Sequence, residues 1–534
     1  MTPSPPATSG ARPAGVTPRS PAEVAGWVAE LAGPLDPATR LPADGGASLV
    51  TGLTLSSLRT VPGDLYAALP GARAHGIAFT PDAVAAGAVA VLTDPAGARA
   101  AAELSDRLPD DLPLLVTTDP RRVLGRLAAR LHGDPAAALR LVGVTGTQGK
   151  TTTTRLLEAA LQASGCHAGV VGTVGTRVDG VDVPTALTTP EAPDLHALFA
   201  LMRERGVTDC AMEVSSHALV LGRVDGVVFD VAVFLNLGRD HLDFHADVEE
   251  YFAAKASLFA PDRAHRALVN VDDEHGRRLV DLCRERGVAV STFSATGAPA
   301  DWWAEDVRAD PASSTFVLRG PGGLAQPTTV PLPGAFNVAN ALAALAAAGE
   351  AGLDPRPLAL ALGTTDGVPG RFEQVGDGGA GRRTVLVDYA HKPDALEAAL
   401  GTLRPLTRGR LVVVVGAGGD RDRGKRPLMG ETAGRLADLV VVTDDNPRSE
   451  DPAAIRAAVL DGAAGASAEV VEVAGRREAI ALALGRTGPG DVVLVAGKGH
   501  ETGQEVAGTV HPFDDRVVVR ELLADPRVVQ GGDR

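Results

Sequence analysis

Short apolar runs that end in turn residues alternate with Ala/Leu-rich stretches along most of the chain. That alternation predicts α/β domains with parallel sheets, since a parallel strand buried on both faces reads as a continuous apolar run and its crossover as a helix. Residues 1–20, rich in Pro, Ser, Thr and Gly, are expected to form a disordered tail. Residues 21–138 make a first block, with apolar runs at 64–69, 88–92 and 112–116 and a helix-like segment from Pro81. Residues 139–365 make a second, which opens on the run 139–144, continues into a helix expected over 152–162, and holds a Pro- and Gly-rich stretch from Thr296 to Gly334 expected to be a small irregular excursion. Residues 366–534 make a third, with strand-like runs at 384–387, 411–415, 439–443 and 492–496.

Composition narrows the function more than the fold. A formal net charge of -15 argues against a general binder of nucleic acid or anionic membranes. Cys166, Cys210 and Cys283 have neither metal-ligand spacing nor a disulfide framework, which fits a reducing cytoplasm. No apolar run approaches the roughly 18 residues that span a bilayer, and the tail lacks the apolar core of a signal peptide.

The densest chemistry lies at Gly146-Thr147-Gln148-Gly149-Lys150-Thr151-Thr152, between a predicted strand and a predicted helix. In that setting glycines let backbone N–H groups converge on phosphate oxygens, Lys150 meets the β/γ-phosphates, and Thr151 is a magnesium ligand. The strict phosphate-loop spacing asks for Gly where Val144 stands, so this is a variant loop. Two further predicted strands end in polar clusters, Glu213-Val214-Ser215-Ser216-His217 and Asn236-Leu237-Gly238-Arg239-Asp240-His241-Leu242-Asp243. Acids and imidazoles at parallel-strand ends near a phosphate loop suit a magnesium site; zinc is the weaker alternative because no cysteine joins them. Lys255 falls on the apolar stripe of a helix predicted over 247–259, where it either snorkels to the surface or is partly desolvated; periodicity alone favours snorkelling.

These motifs, with Gly334-Ala335-Phe336-Asn337-Val338-Ala339-Asn340-Ala341, Gly370-Arg371-Phe372-Glu373, Asp388-Tyr389-Ala390-His391 and Asp445-Asn446-Pro447-Arg448, resemble the Mur ligases, and within them the members that add the third residue of the peptidoglycan stem peptide. The resemblance implies three domains: an N-terminal Rossmann-like domain, a central phosphate-loop ATPase domain and a C-terminal Rossmann-like domain. It implies an ATP-dependent, ADP-forming cytoplasmic ligase acting on UDP-N-acetylmuramoyl-L-alanyl-D-glutamate and meso-diaminopimelate, and a monomer is expected. Thr151 and Glu213 would hold one magnesium ion; His241 and a carbamylated Lys255 (N6-carboxylysine) would hold another. The phosphate loop with Asn270, Asn337, Arg371, Asp388 and His391 would bind ATP. Leu55, Ser57, Thr188, Thr189, Ser215 and Arg223 would bind the nucleotide-sugar peptide, and Lys150, Glu213, His241 and Lys255 would serve catalysis. Gln148, Leu187, Leu221 and Leu58 depart from the family pattern.

In the third block the strand-like runs end in polar or Gly-rich loops, which an open parallel sheet gathers at its carboxyl edge. Arg421 and Arg448 can grip carboxylates, while Asp445 and Glu501 can hold an ammonium. With Asn446, Pro447 and Gly497 they resemble the family's diaminopimelate-binding set, Arg448 meeting the distal carboxylate that lysine lacks. The implied chemistry is an acyl phosphate formed at the D-glutamate γ-carboxylate and captured by the amine, with the third domain closing over the nucleotide to exclude water. A lysine-adding relative, a folylpolyglutamate synthetase-like ligase and a phosphate-loop switch that hydrolyses ATP without ligating are the competing readings.

Overall fold

The computed structural model describes residues 12–42, 48–238, 244–376 and 383–529. Two compact units emerge, the first comprising Met1–Ser294, Ala298–Asp301 and Ala343–Pro355, the second Ala295–Gly297, Trp302–Leu342 and Arg356–Arg534.

The first unit contains two sheets. The N-terminal sheet is parallel, in the order β1 (Gly52–Thr54), β2 (Asp64–Ala68), β3 (Ala90–Thr93), β4 (Leu114–Val116). Its strands are buried along their whole length. Segments expected in the tail make specific contacts here: Arg12 pairs with Asp64, and Ser20 forms a capping box with Glu23 on helix α1 (Pro21–Ala32). A central sheet follows, built from β5 (Arg140–Thr145), β6 (Ala168–Val171), β7 (Thr176–Val178), β8 (Val181–Val183), β9 (Asp209–Glu213), β10 (Phe229–Phe234), β11 (Ala264–Asn270) and β12 (Ala289–Ser294). Their order is β8-β7-β6-β9-β5-β10-β11-β12, with antiparallel pairing only where β7 meets β6 and β8. Strand β5 sits between β9 and β10, so the phosphate loop and both polar clusters leave neighbouring strands at one edge. Val144 is fully buried in β5, paired with Glu213 and Val233. That position belongs to the sheet here, which explains a β-branched residue where the strict loop has glycine.

In the second unit the stretch expected to be irregular is instead an antiparallel meander, with one register shift between Glu305 and Arg308: β13 (Trp302–Ala309), β14 (Ser314–Gly320) and β15 (Leu324–Val330). Trp302, Ala304, Phe316, Leu318, Leu324 and Val330 alternate inward. Most of the Pro and Gly that suggested irregularity lie before, between and after these strands, as in the turn at 321–323, where Gly322 has φ +67°. The C-terminal sheet runs β16 (Glu373–Gln374), β17 (Thr384–Asp388), β21 (Val492–Ala496), β18 (Leu411–Val415), β19 (Leu439–Val442), β20 (Glu469–Glu472), all parallel except β16. A hairpin, β22 (Gly503–Val506) and β23 (Thr509–Pro512), stands apart from it. Strands β18, β19 and β21 are buried at every position, as expected for a sheet covered on both faces. Among the described residues no helix is long and apolar enough to cross a membrane.

Candidate active site

The phosphate loop is held by its neighbour strand. Asn236, just beyond β10, accepts from the backbone N–H groups of Thr147 (3.1 Å) and Gln148 (2.9 Å) through Oδ1, and donates to the Gln148 carbonyl through Nδ2 (3.2 Å). Gly149 adopts φ +88° at the start of helix α2 (Lys150–Ala163), a conformation that a side chain would strain. Lys150 Nζ donates to the carbonyls of Gly146 (2.7 Å) and Thr147 (3.0 Å). Lys255, on helix α3 (Val248–Ala256), donates to the same Gly146 carbonyl at 2.9 Å and lies 4.4 Å from the Tyr251 ring centroid. It is only 1% exposed, so the snorkelling that periodicity favoured does not occur. The helix places Lys255 against the loop.

Glu213 joins the loop to a second set of residues. Its Oε1 accepts from Thr151 Oγ1 (2.9 Å) and the Thr173 N–H (2.8 Å), and its Oε2 from Thr173 Oγ1 (3.2 Å). Thr173 Oγ1 also lies 2.9 Å from Thr188 Oγ1. Thr189 Oγ1 donates to the Glu213 carbonyl (2.8 Å) and accepts from the Ser215 N–H (3.2 Å), while Arg223 reaches the Thr189 carbonyl at 3.3 Å. Four residues expected to bind the nucleotide-sugar peptide are therefore linked to Glu213, Thr188 through its carboxylate and Thr173, and Ser215 and Arg223 through Thr189 at its backbone carbonyl. Leu55 and Ser57 follow β1; Arg59, in the same turn, reaches Asp194 at 3.0 Å on helix α4 (Ala192–Glu204). A cavity of about 430 Å³ beside them is bordered by Leu53, Arg59, Leu187, Pro190 and Asp194.

Thr173 carried no motif of its own, and sequence reasoning missed it. Thr173→Val keeps the branched shape and removes the hydroxyl that bridges Glu213 and Thr188. The expected result is about a tenfold loss of ligation rate, the size of a hydrogen bond to a charged group, with an unchanged melting temperature; an unchanged rate would show that the bridge is idle.

The second unit holds the other expected residues. Asn337 donates to the Pro333 carbonyl (2.8 Å) and accepts from Asn340 (3.3 Å). Asp388, at the end of β17, accepts from the N–H groups of Phe372 (2.9 Å) and Ala390 (2.8 Å). Burial pushes its carboxyl above the usual range, against the pull of Arg371 and these N–H groups. Arg371 stacks 4.7 Å from the Tyr389 ring centroid. His391 has its pKa lowered by burial, and its Nδ1 lies 2.9 Å from the Tyr389 carbonyl. Asn270, which ends β11 and donates to the Leu235 carbonyl (2.8 Å), belongs to the first unit with the phosphate loop.

At the carboxyl edge of the C-terminal sheet, Asn446 Nδ2 donates to Glu501 Oε2 at 2.8 Å. Arg448 donates to the Gly419 carbonyl (2.6 Å) and lies 3.4 Å from Glu505. Gly497 leaves no room for a side chain, since a Cβ there would stand 2.5 Å from Asp445 Oδ2. Charges on Glu501, Asp445, Arg371 and Arg421 all act on Tyr389, whose pKa burial raises first. Asp445, Asn446, Arg448, Gly497 and Glu501 are thus brought together, with Pro447 in the connecting turn.

Three family models cover these segments: "Mur ligase family, catalytic domain" over residues 49–132, "Mur ligase middle domain" over 144–348, and "Mur ligase, glutamate ligase domain" over 370–499. A Streptomyces avermitilis UDP-N-acetylmuramoyl-L-alanyl-D-glutamate--2,6-diaminopimelate ligase is 53% identical over 93% of this chain and 96% of its own length. The chain belongs to the Mur ligase family. A Corynebacterium efficiens ligase of the same name is 51% identical over 86% of this chain and 87% of its own. A solved structure of a UDP-N-acetylmuramoyl-L-alanyl-D-glutamate--2,6-diaminopimelate ligase superposes with a TM-score of 0.65 at 34% identity, covering 93% of this chain and 98% of that one.

For a Mur ligase the donor set fits magnesium at one place. Thr151 Oγ1 and Glu213 Oε1 are hard oxygen ligands already 2.9 Å apart beside the phosphate loop. His241, expected at a second ion with Lys255, lies outside the described residues, as do Arg239, Asp240, Leu242 and Asp243.

Proposed function

We propose that this Mur ligase adds meso-diaminopimelate to the D-glutamate γ-carboxylate of UDP-N-acetylmuramoyl-L-alanyl-D-glutamate, in the cytoplasm, releasing ADP and phosphate. The observation that carries the reading is the chain Thr151–Glu213–Thr173–Thr188. It joins the phosphate loop to the acceptor threonines through one carboxylate, an arrangement that serves transfer between two substrates rather than nucleotide hydrolysis alone.

An oxygen of the γ-carboxylate attacks the γ-phosphorus of ATP as the bond to the bridging oxygen breaks, giving ADP and an acyl phosphate. Lys150, already turned toward the loop, neutralises charge that builds on the phosphates. Thr151 and Glu213 would hold a magnesium ion, which when bound would supply further charge neutralisation there. Thr188, Thr189, Ser215 and Arg223 orient the acceptor. The diaminopimelate amine then attacks the acyl carbon, the tetrahedral intermediate expels phosphate, and the amine proton is released. Glu501 and Asn446 hold the amino acid's charged groups, and Arg448 holds its distal carboxylate. Lys255 carries a carbamate: its neutral amine adds to the carbon of carbon dioxide and loses one proton, which places a carboxylate beside Lys150.

ATP turnover is expected only when both the UDP-linked dipeptide and diaminopimelate are present, with L-lysine supporting less than about a hundredth of the rate. A coupled ADP-release assay with each substrate omitted in turn measures this. Turnover with ATP alone would favour the hydrolytic switch, and equal rates with L-lysine would favour the lysine-adding reading.

A further inference from the structure

Lys498 is absorbed by none of the roles above, yet it sits under the amino-acid pocket with a completely buried side chain. Its Nζ has three acceptors: Asn446 Oδ1 at 3.2 Å, Glu501 Oε2 at 3.1 Å and the Gly503 carbonyl at 2.6 Å. An ammonium has three N–H donors, so this set saturates it. The acceptors come from three different pieces of chain: the turn after β19, the loop after β21, and the first residue of the β22–β23 hairpin.

The contacts also fix how the neighbouring groups face. Asn446 Oδ1 takes the Lys498 bond and the Glu505 N–H (3.0 Å). Because both of these are donors, the amide is oriented with Nδ2 toward Glu501, where it donates at 2.8 Å. Glu501 Oε2 therefore accepts from Asn446 and Lys498 together, which leaves Oε1 for a substrate ammonium. Glu501 is 33% exposed while Lys498 is 0% exposed, so the carboxylate meets the solvent side and the lysine backs it from within. The same hairpin reaches Arg448, whose N–H donates to the Glu505 carbonyl at 3.0 Å.

We infer that Lys498 is a positioning residue for the amino-acid substrate, holding Glu501 and Asn446 in the arrangement that receives its charged groups. It acts through Glu501 and does not itself touch the substrate. The inference rests on the reading of this sheet edge as the amino-acid pocket.

The test is steady-state kinetics of the full-length enzyme carrying Lys498→Met, which keeps an unbranched side chain one atom shorter than lysine and removes its donors. The expected result is a KM for diaminopimelate raised about ten- to a hundredfold, as for one partner lost from a buried charged network. KM values for ATP and the UDP-linked dipeptide should stay within about twofold. Adding Glu501→Gln to Lys498→Met should cost little more than Glu501→Gln alone, because both changes act on one group. An unchanged KM for diaminopimelate overturns the inference. So does a rise in all three KM values together with a lower melting temperature, which is what a purely structural lysine would give, or multiplicative losses in the double variant. Should Lys498→Met fail to fold, Lys498→Gln, which keeps one donor group, is read by the same comparison. If the wild-type enzyme ligates a different amino acid, the diaminopimelate reading falls, and the KM series run with that amino acid still decides the role of Lys498.

Discussion

Lys255→Ala is expected to lower the ligation rate about 10²–10³-fold, the range seen when one preorganised charge-stabilising group is removed from a reacting centre. Formate, acetate or propionate should restore part of the activity. The expectation follows from burial. The amine is 1% exposed and donates to the Gly146 carbonyl that also receives Lys150. Two lysine amines converge on one loop carbonyl, and carbamylation of Lys255 would put a carboxylate at that point. Alanine leaves a cavity next to Tyr251, and a small carboxylate fits that space with the charge a carbamate would bring. Rates measured with and without added carboxylate separate the explanations. A loss of activity that no carboxylate restores, with a fall in melting temperature, would make Lys255 a packing residue. Full activity of the alanine variant would falsify the carbamate role.

Arg448→Ala should lower kcat/KM for meso-diaminopimelate about 10²-fold or more, since truncating one partner of a hydrogen-bonded charge pair costs roughly 2–5 kcal/mol. L-lysine, which has no distal carboxylate, should be affected by less than about threefold, so discrimination between the two amino acids collapses. The structure supports this asymmetry. Arg448 Nη1 donates to the Gly419 carbonyl, and its Nε lies 3.4 Å from Glu505 at the same sheet edge as Asn446 and Glu501, which sets the guanidinium beside the amino-acid pocket. Its backbone is left-handed, with φ +53°. The same strain falls on any L-residue placed there, so Arg448→Lys is the control: it keeps the charge but loses the planar fork and should lose most of the discrimination. Parallel kcat/KM measurements with both amino acids decide the matter. Equal losses for both would make Arg448 a scaffold for the turn, and an unchanged ratio would remove it from substrate selection.

What the sequence alone determined is whatever depends on near neighbours along the chain. The runs at 411–415, 439–443 and 492–496 became β18, β19 and β21, because a strand buried on both faces has no polar alternative. The phosphate loop was legible because its glycines and Lys150-Thr151 work at fixed short spacing, and the acids at the ends of β9 and β19 were legible because open parallel sheets present those ends. Other features were settled only when distant segments met. Periodicity placed Lys255 on an apolar stripe but could not say what covered it; the Gly146 carbonyl did. Thr173 gains its role from partners 15 and 40 positions away, and Lys498 is tied to Asn446 across 52 positions, separations that no local spacing encodes. The meander of β13–β15 was hidden by Pro and Gly that lie mostly in the segments flanking and connecting its strands. Val144, a defect in the loop when read along the chain, is a core residue when read across the sheet. Local pattern fixes which face of an element is apolar, and only tertiary packing fixes which groups that face meets.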